Sequence, residues 1–416
     1  MDAKGRSGFR ARWVKCCLGE IRLARPFFAP DPKALRDAKT PGTGRPKARA
    51  GRARPGAVCP RRGGAECAFP FDARIGLVDG MTPCVSGLLQ RASVVCGSFD
   101  EGVTVLAEFA ELRFSKSAFR VRSLRAGRRA EAEQDTPAAG LSLVPAYSAA
   151  QIARSVECEL TMYIMMDGSG VPCVKADLSG SKGKNGPAKT REIKVGIVGF
   201  YSRVDKKTGR PVRDRKCEIH IATMAEAAEF GLKLRALAIA AGYGRKGIRV
   251  QIIADGATWI MNVADNGFHA NIDGTHPQDD DVFATDFYHA CGHLHGFVVA
   301  VEKDAARVET NYNKLKKVLV SKGAEEACKA IAKDYGVPVE GTEARTQYDY
   351  LWSRRRFMRY GEFRRKGMFI GSGPIESACR TDVARRCKQS GMHWRIRNAS
   401  SMCALVSRIR SRGTFA

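Results

Sequence analysis

The chain has 416 residues, 44% of them hydrophobic, enough to bury one elaborated core or two smaller ones. Its 70 Lys and Arg against 43 Asp and Glu leave a formal charge of +27, which points to a polyanionic partner with nucleic acid the first candidate. No signal peptide opens the chain and no run is apolar enough to span a bilayer, so no membrane partner is expected. The 14 scattered cysteines read as reduced thiols of a cytoplasmic protein.

Residues 1–68 read as a basic segment without regular structure. The first 60 hold 15 Lys and Arg against 4 Asp and Glu, and residues 42–55 (GTGRPKARAGRARP) show neither helical nor strand periodicity. Cys59 and Cys67 outline half of a zinc ribbon, but a knuckle needs thiols about two to four residues apart. Isolated thiols and no structural zinc are expected there.

Residues 69–150 turn helical. Thr82 is placed to cap a helix opening at Pro83, residues 99–112 and 115–125 supply two more, and residues 131–145 read as a linker. Three short helices suit a DNA-binding module or a packing platform.

Residues 151–302 open a larger domain. Residues 158–168 (CELTMYIMMDG) form a strand that stops at Asp167, and residues 171–176 and 192–200 follow as strands. The basic loop at residues 179–189 lacks the Lys-Ser/Thr ending of a P-loop. Thr223 and Glu226 have the spacing of a capping box, with Ala227, Phe230, Leu234, Leu237 and Ala241 following at helical spacing. Val250, Ile252 and Ile253 then read as a strand buried on both faces, ended by Asp255-Gly256 and followed by a helix over residues 257–264. A short strand at 282–285 and a helix over 286–301 complete this part.

Residues 303–370 form a helical insertion. In residues 371–416 a final helix starts with Gly373 as cap and Pro374 at its first position, and a basic tail follows. The order of three strands, helix, strand, helix, strand and helices predicts an antiparallel meander extended by two parallel crossovers. That is the order of an α/β RNase H-like fold: a mixed sheet flanked by helices, a helical insertion before the last catalytic helix, and a helical N-terminal region.

Three acids fall where this order has chemical use. Asp167 ends the first strand, Asp255 ends the fourth, and those two strands are neighbours in the expected sheet. Glu376 lies in the first turn of the last helix. Taken singly, an Asp after a strand starts a turn, and a first-turn Glu faces the helix dipole or pairs with Arg380. Taken together they supply the oxygen donors of two Mg²⁺ ions about 3.5–4 Å apart, with Mn²⁺ as the substitute. Adjacent carboxylates without a cation would repel one another.

Other features carry weaker signals. His289 and His293, one helical turn apart, could ligate a metal, but no further ligands complete a set. Asp279 to Asp281 read as a solvated turn. Residues 354–366 hold seven cations and one acid with aromatics interleaved, and residues 381–412 add eight Lys and Arg against one Asp. Arg354, Arg355, Arg356, Arg380, Arg385, Arg386, Lys388 and Arg395 are the expected phosphate contacts; on the final helix Arg380, Arg385, Arg386 and Lys388 fall away from an apolar stripe of Ile375, Cys379, Val383 and Cys387.

Five blocks in this order carry a family resemblance. They are Met166-Asp-Gly-Ser-Gly-Val-Pro172, Lys189-Thr-Arg-Glu-Ile-Lys-Val-Gly196, Ala254-Asp-Gly-Ala-Thr-Trp-Ile260, Asp286-Phe-Tyr-His-Ala-Cys291 and Gly371-Ser-Gly-Pro-Ile-Glu-Ser-Ala-Cys379. Together with Gly391-Met-His-Trp394, they resemble the DDE transposases of bacterial insertion sequences, in particular the Kra-type family, over roughly residues 69–412. The resemblance implies a catalytic and metal-binding triad of Asp167, Asp255 and Glu376, with Asp286 and His289 as an accessory motif. It also implies metal-dependent cleavage of double-stranded DNA at transposon ends and transfer of the 3′ hydroxyl into target DNA. A homo-oligomer acting at the bacterial nucleoid goes with that activity. The family's zinc ribbon has paired Cys-x-x-Cys knuckles, whereas Arg62 stands here where the thiol partner of Cys59 would be. Two rivals are an RNase H-like nuclease or resolvase that only hydrolyses, and a catalytically inactive DNA-binding remnant of a transposase.

Overall fold

The computed structural model describes residues 5–17, 19–30, 70–135, 161–183, 186–201, 203–205, 207–208, 211–213, 218–244, 248–268 and 282–411. These divide into two compact units, residues 1–93 with 99–119, and residues 94–98 with 120–416.

The first unit opens with an antiparallel hairpin, β1 (Gly5–Cys16) and β2 (Gly19–Pro30), in which Cys16 faces Gly19 across the turn. This corrects the expectation of an irregular segment for residues 5–30, while residues 31–69 lie outside the described residues. Phe9, Ala11 and Trp13 alternate with Arg10 and Arg12, a period of two that the charge and proline content conceal. Val14 is fully buried, and Arg12 and Arg25 both pair with Asp72. Cys59 and Cys67, with the zinc question attached to them, lie outside the described residues. Helices α1 (Pro70–Arg74), α2 (Pro83–Val95) and α3 (Phe99–Ala110) follow. Met81, Val85, Leu89, Ala92, Leu106, Leu112 and Phe119 make the core, with Phe99 and Phe114 edge-on to Phe119.

Helix α4 (Lys116–Asp135) runs into the second unit and includes residues 131–135, which the sequence assigns to a linker. They stay helical because Glu131 accepts from the hydroxyls of Ser400 and Ser401 and Glu133 pairs with Arg408 at 3.0 Å.

The second unit is built on a five-stranded mixed sheet flanked by helices. Its strands are β3 (Thr161–Pro172), β4 (Thr190–Tyr201), β5 (Glu218–Thr223), β6 (Arg249–Ala254) and β7 (Val282–Thr285), in the order β7-β6-β3-β4-β5. The β3-β4-β5 part is antiparallel, and β6 and β7 add in parallel on the other side of β3. Two expectations are corrected. Asp167 does not end its strand: β3 continues to Pro172, so the separate strand at 171–176 does not exist. The polar Asp167-Gly-Ser-Gly run resembles a turn, but a glycine lets β4 close in, and a Cβ at Gly168 would stand 2.9 Å from the Glu192 side chain. The third strand of the meander is instead β5, whose Glu218 and His220 conceal an all-buried strand.

Helix α5 (Ala227–Ala241) and helix α6 (Thr258–Phe268) cover one face, packing Phe230, Leu234 and Ile260 against Met162, Ile164 and Met166. No capping box forms before α5. Glu226 is itself the N-cap, pairing at 2.9 Å with Arg191, while the Thr223 hydroxyl accepts from the Ala225 N–H. Helix α7 (Phe287–Val301) then leads into α8 (Ala305–Ser321), α9 (Ala324–Tyr335), α10 (Glu343–Ser353) and α11 (Tyr360–Arg365). Helix α12 (Gly373–Ala378) runs on through a π-helical turn, Cys379–Ala384, to Arg385–Cys387, and α13 (Ile396–Arg410) closes the unit. Among the described residues, no helix is long and apolar enough to cross a membrane.

Candidate active site

Strand pairing brings the two aspartates together. β3 and β6 run parallel from Thr161 beside Arg249 to Met165 beside Ile253, and the same register carried two residues further sets Asp167 beside Asp255. Asp255 follows the last residue of β6, with its Oδ1 accepting from the Ala257 N–H at 2.9 Å. It therefore does start a turn, yet its Oδ2 accepts no hydrogen bond from the described residues. Asp167 is half-buried, with Oδ1 accepting from the Gly168 N–H at 2.6 Å and Oδ2 from the Cys379 thiol at 3.4 Å.

Glu376 is exposed in the first turn of α12. The cap of that helix is Ser372, not Gly373, and its hydroxyl donates to Glu376 Oε1 at 2.9 Å. Arg380 forms no ion pair with Glu376 among the described residues, since the π turn begins at Cys379, between them, and breaks the ordinary four-residue stacking.

Asp286 fastens this constellation. It is 2% exposed, caps α7 through a 2.6 Å bond from the His289 N–H to Oδ2, and accepts from the Ser372 N–H at Oδ1, also 2.6 Å. Its own N–H donates to Ala254, the residue before Asp255. One buried residue thus joins the end of β6, through its backbone N–H, to the starts of α7 and α12, through its carboxylate. His289 is exposed, its ring edge-on to His293 and Tyr350.

The charges interact. Burial raises the Asp167 carboxyl above the usual range; the Gly168 and Cys379 hydrogen bonds oppose this, and the charges of Asp255 and Glu376 push it further up. Burial likewise raises Asp286, against its backbone hydrogen bonds and with the Glu376 charge adding to the rise. Among the described residues, no three His, Cys, Asp or Glu side chains already stand close enough together to hold a metal ion. The donor set fits a hard divalent cation nonetheless. Asp167, Asp255 and Glu376 offer only oxygens, two of them have an oxygen with no hydrogen-bond partner among the described residues, and their repulsion is relieved by positive charge.

The expected phosphate contacts separate. Arg356, Arg380, Arg385, Lys388 and Arg395 are exposed, Arg354 and Arg355 half-buried. Arg395 pairs with Asp177 at 3.2 Å, and Lys388 donates to the Ser169 hydroxyl at 2.7 Å. Arg386 is corrected: it is 1% exposed, below the Trp394 ring, and cannot reach a ligand. It lies eleven residues after Ile375, about three turns, on the same face of the helix as the apolar stripe. Sequence reasoning also missed Tyr350, whose hydroxyl donates to the Asp255 carbonyl at 2.8 Å; only its place one turn before Arg354 hints at it.

No model of a protein family matches the chain, and no curated protein matches it. Among solved structures, the chain is similar to the Drosophila P element transposase strand transfer complex. The identity is 9%, 79% of each chain is covered, and the TM-score is 0.29, a likeness too slight to bear on fold or function.

Proposed function

We propose that the second unit is an RNase H-like core and that the chain is a DDE-type transposase, cleaving double-stranded DNA at transposon ends and joining the freed 3′ hydroxyl to target DNA. The observation that carries this reading is the shared register of Asp167 and Asp255 on parallel neighbouring strands, with Glu376 close enough to act on the Asp167 charge. Asp167, Asp255 and Glu376 would hold two Mg²⁺ ions, or Mn²⁺ in their place. When bound, these ions activate the attacking hydroxyl or water and stabilise the leaving oxygen.

The protein's own groups do the rest. Asp286 holds the start of α12 against the end of β6, which sets where Glu376 can reach. Glu376 is exposed and tethered by one hydroxyl, so it can swing towards the two aspartates. Arg356, Arg380, Arg385, Lys388 and Arg395 would track DNA phosphates without reading bases. A homo-oligomer would bring two ends together, and the protein would act at the bacterial nucleoid.

The experiment uses duplexes from the DNA flanking the gene. The wild type should cleave in Mg²⁺ or Mn²⁺ and insert a pre-cut 3′-hydroxyl end into a plasmid, and Asp255→Asn should do neither. Cleavage without insertion would make it a hydrolytic nuclease or resolvase, and metal-independent binding without cleavage an inactive remnant.

A further inference from the structure

The segment between α7 and α12 reaches the carboxylates at one place. Tyr350 and Arg354, one turn apart at the end of α10, lie on the Asp255-Gly256 turn. The Tyr350 hydroxyl holds the Asp255 carbonyl at 2.8 Å, and the Arg354 side chain runs so close to Gly256 that a Cβ there would come within 3.3 Å of Nε. Gly256, at φ +82°, permits both the turn and the approach. The Arg354 guanidinium stands 4.2 Å from the centre of the Tyr350 ring, on which His293 also stacks, 3.5 Å away and within 12° of parallel. Gln347 in turn holds the His293 ring at 2.6 Å.

A half-buried arginine beside carboxylates ordinarily closes a bidentate ion pair with one of them. Arg354 makes none among the described residues; its hydrogen bond is with the Ser353 hydroxyl at 3.4 Å. Other arginines nearby are satisfied differently: Arg359 pairs with Glu362, and the Arg355 guanidinium donates to the Trp352 carbonyl. Arg354 is therefore oriented by aromatic stacking, with donors left over, against the residue after a candidate metal-binding aspartate. A planar cation held so, against the turn that carries Asp255, is complementary to a phosphate group that contacts both the guanidinium and a cation on the carboxylates.

We infer that Arg354, held in place by Tyr350, binds the phosphate at which the DNA strand is cut, so that the helical insertion completes the catalytic site of its own chain. This rests on the carboxylate reading above and gives the insertion a role at the reacting phosphate rather than along the DNA backbone. Arg354 would donate to the non-bridging oxygens as charge moves onto them, an effect on turnover more than on DNA affinity.

The test uses the full-length protein with two readouts. The first is the rise in melting temperature caused by Mg²⁺ and by inorganic phosphate added with it; the second is single-turnover cleavage of flanking-DNA duplexes alongside their affinity. Arg354→Ala should keep the Mg²⁺ response, lose the phosphate response, and cleave at least about a hundredfold more slowly, with affinity changed by less than about threefold. Tyr350→Ala, which removes the ring from the guanidinium, should reproduce that loss, and Arg354→Lys should fall between. Arg354→Ala that keeps the phosphate response, or cleaves within about threefold of the wild type, overturns the inference, as does a wild type indifferent to phosphate. If Asp255→Asn abolishes cleavage while Arg354→Ala does not, the carboxylate reading stands alone. If the wild type ignores Mg²⁺ and does not cleave, yet Arg354→Ala loses a phosphate response, the phosphate site stands and the carboxylate reading fails.

Discussion

Asp167 carries a cost that a purely structural residue would not keep. Burial raises its carboxyl, and the charges of Asp255 and Glu376 raise it further. The folded protein then holds this proton to higher pH than the unfolded chain does, so ionising it subtracts stability as pH rises through the folded value. Asp167→Asn should therefore abolish cleavage while leaving the melting temperature unchanged or at most about 1 °C higher, the scale of a fraction of a kcal/mol in a chain of this size. A clear drop in melting temperature would mean that the aspartate is there for the fold. Asp286 predicts the opposite. Both its oxygens accept backbone N–H groups in a buried site, and an asparagine can replace only one. Asp286→Asn should cost about 1–3 kcal/mol in chemical denaturation and slow cleavage by displacing α12. The positions of Asp255 and Asp286 are readable from strand ends and a helix start. The bond from Asp286 to Ser372 is not, because it spans 86 residues and leaves no local pattern.

At the scale of elements, the strands with unbroken apolar runs are legible and those that carry charge are not. β6 announces itself through Val250, Ile252 and Ile253. β5 hides because Glu218 and His220 point inward, and only the fold supplies their partners: Arg213 for Glu218, and Asp382, itself completely buried, at 2.7 Å from His220. That contact fastens the π-helical turn that follows α12 to the edge of the sheet, with Arg410 of α13 at 3.3 Å on the other oxygen of Asp382. Burial works against a charged His220, but Asp382 and Glu218 outweigh it and raise the imidazole to about 9. A raised folded value means that this contribution to stability is full below about 6.5 and is lost as pH climbs through about 9. Denaturation midpoints should fall across that interval in the wild type. In Asp382→Asn the pH dependence should flatten, with an overall loss of about 3–5 kcal/mol, the usual result of breaking a buried pair. A wild-type midpoint that is level from 6.5 to 9 would contradict the charged His220.

For the whole molecule, the net charge of +27 predicts a polyanion partner but not which surface meets it. Removing Arg386 from the contact set leaves Arg380, Arg385, Lys388 and Arg395 as its exposed members from α12 to the start of α13. If Arg380 and Lys388 each neutralise one phosphate, the double substitution Arg380→Ala/Lys388→Ala should lower the slope of log affinity against log salt by about 1.8, without changing preference among duplex sequences. An unchanged slope would place the DNA elsewhere. The described hairpin at residues 5–30 shows the limit of composition as a guide, because a strongly basic stretch can still alternate like a strand.

The account stands or falls on whether three acids from distant parts of the chain work as one site, and Glu376 tests this most directly because it is exposed and makes no ion pair among the described residues. The decisive measurement is single-turnover cleavage of a flanking-DNA duplex by Glu376→Gln in Mg²⁺ and in Mn²⁺, with Arg380→Ala as the control. As a ligand, Glu376 has no tolerance for the amide: the variant should fold, lose no more than about 1 kcal/mol of helix-dipole stabilisation, bind DNA with an unchanged salt slope, and not cleave with either metal. Near-full cleavage by Glu376→Gln would contradict the account and leave Glu376 as a residue that only opens a helix.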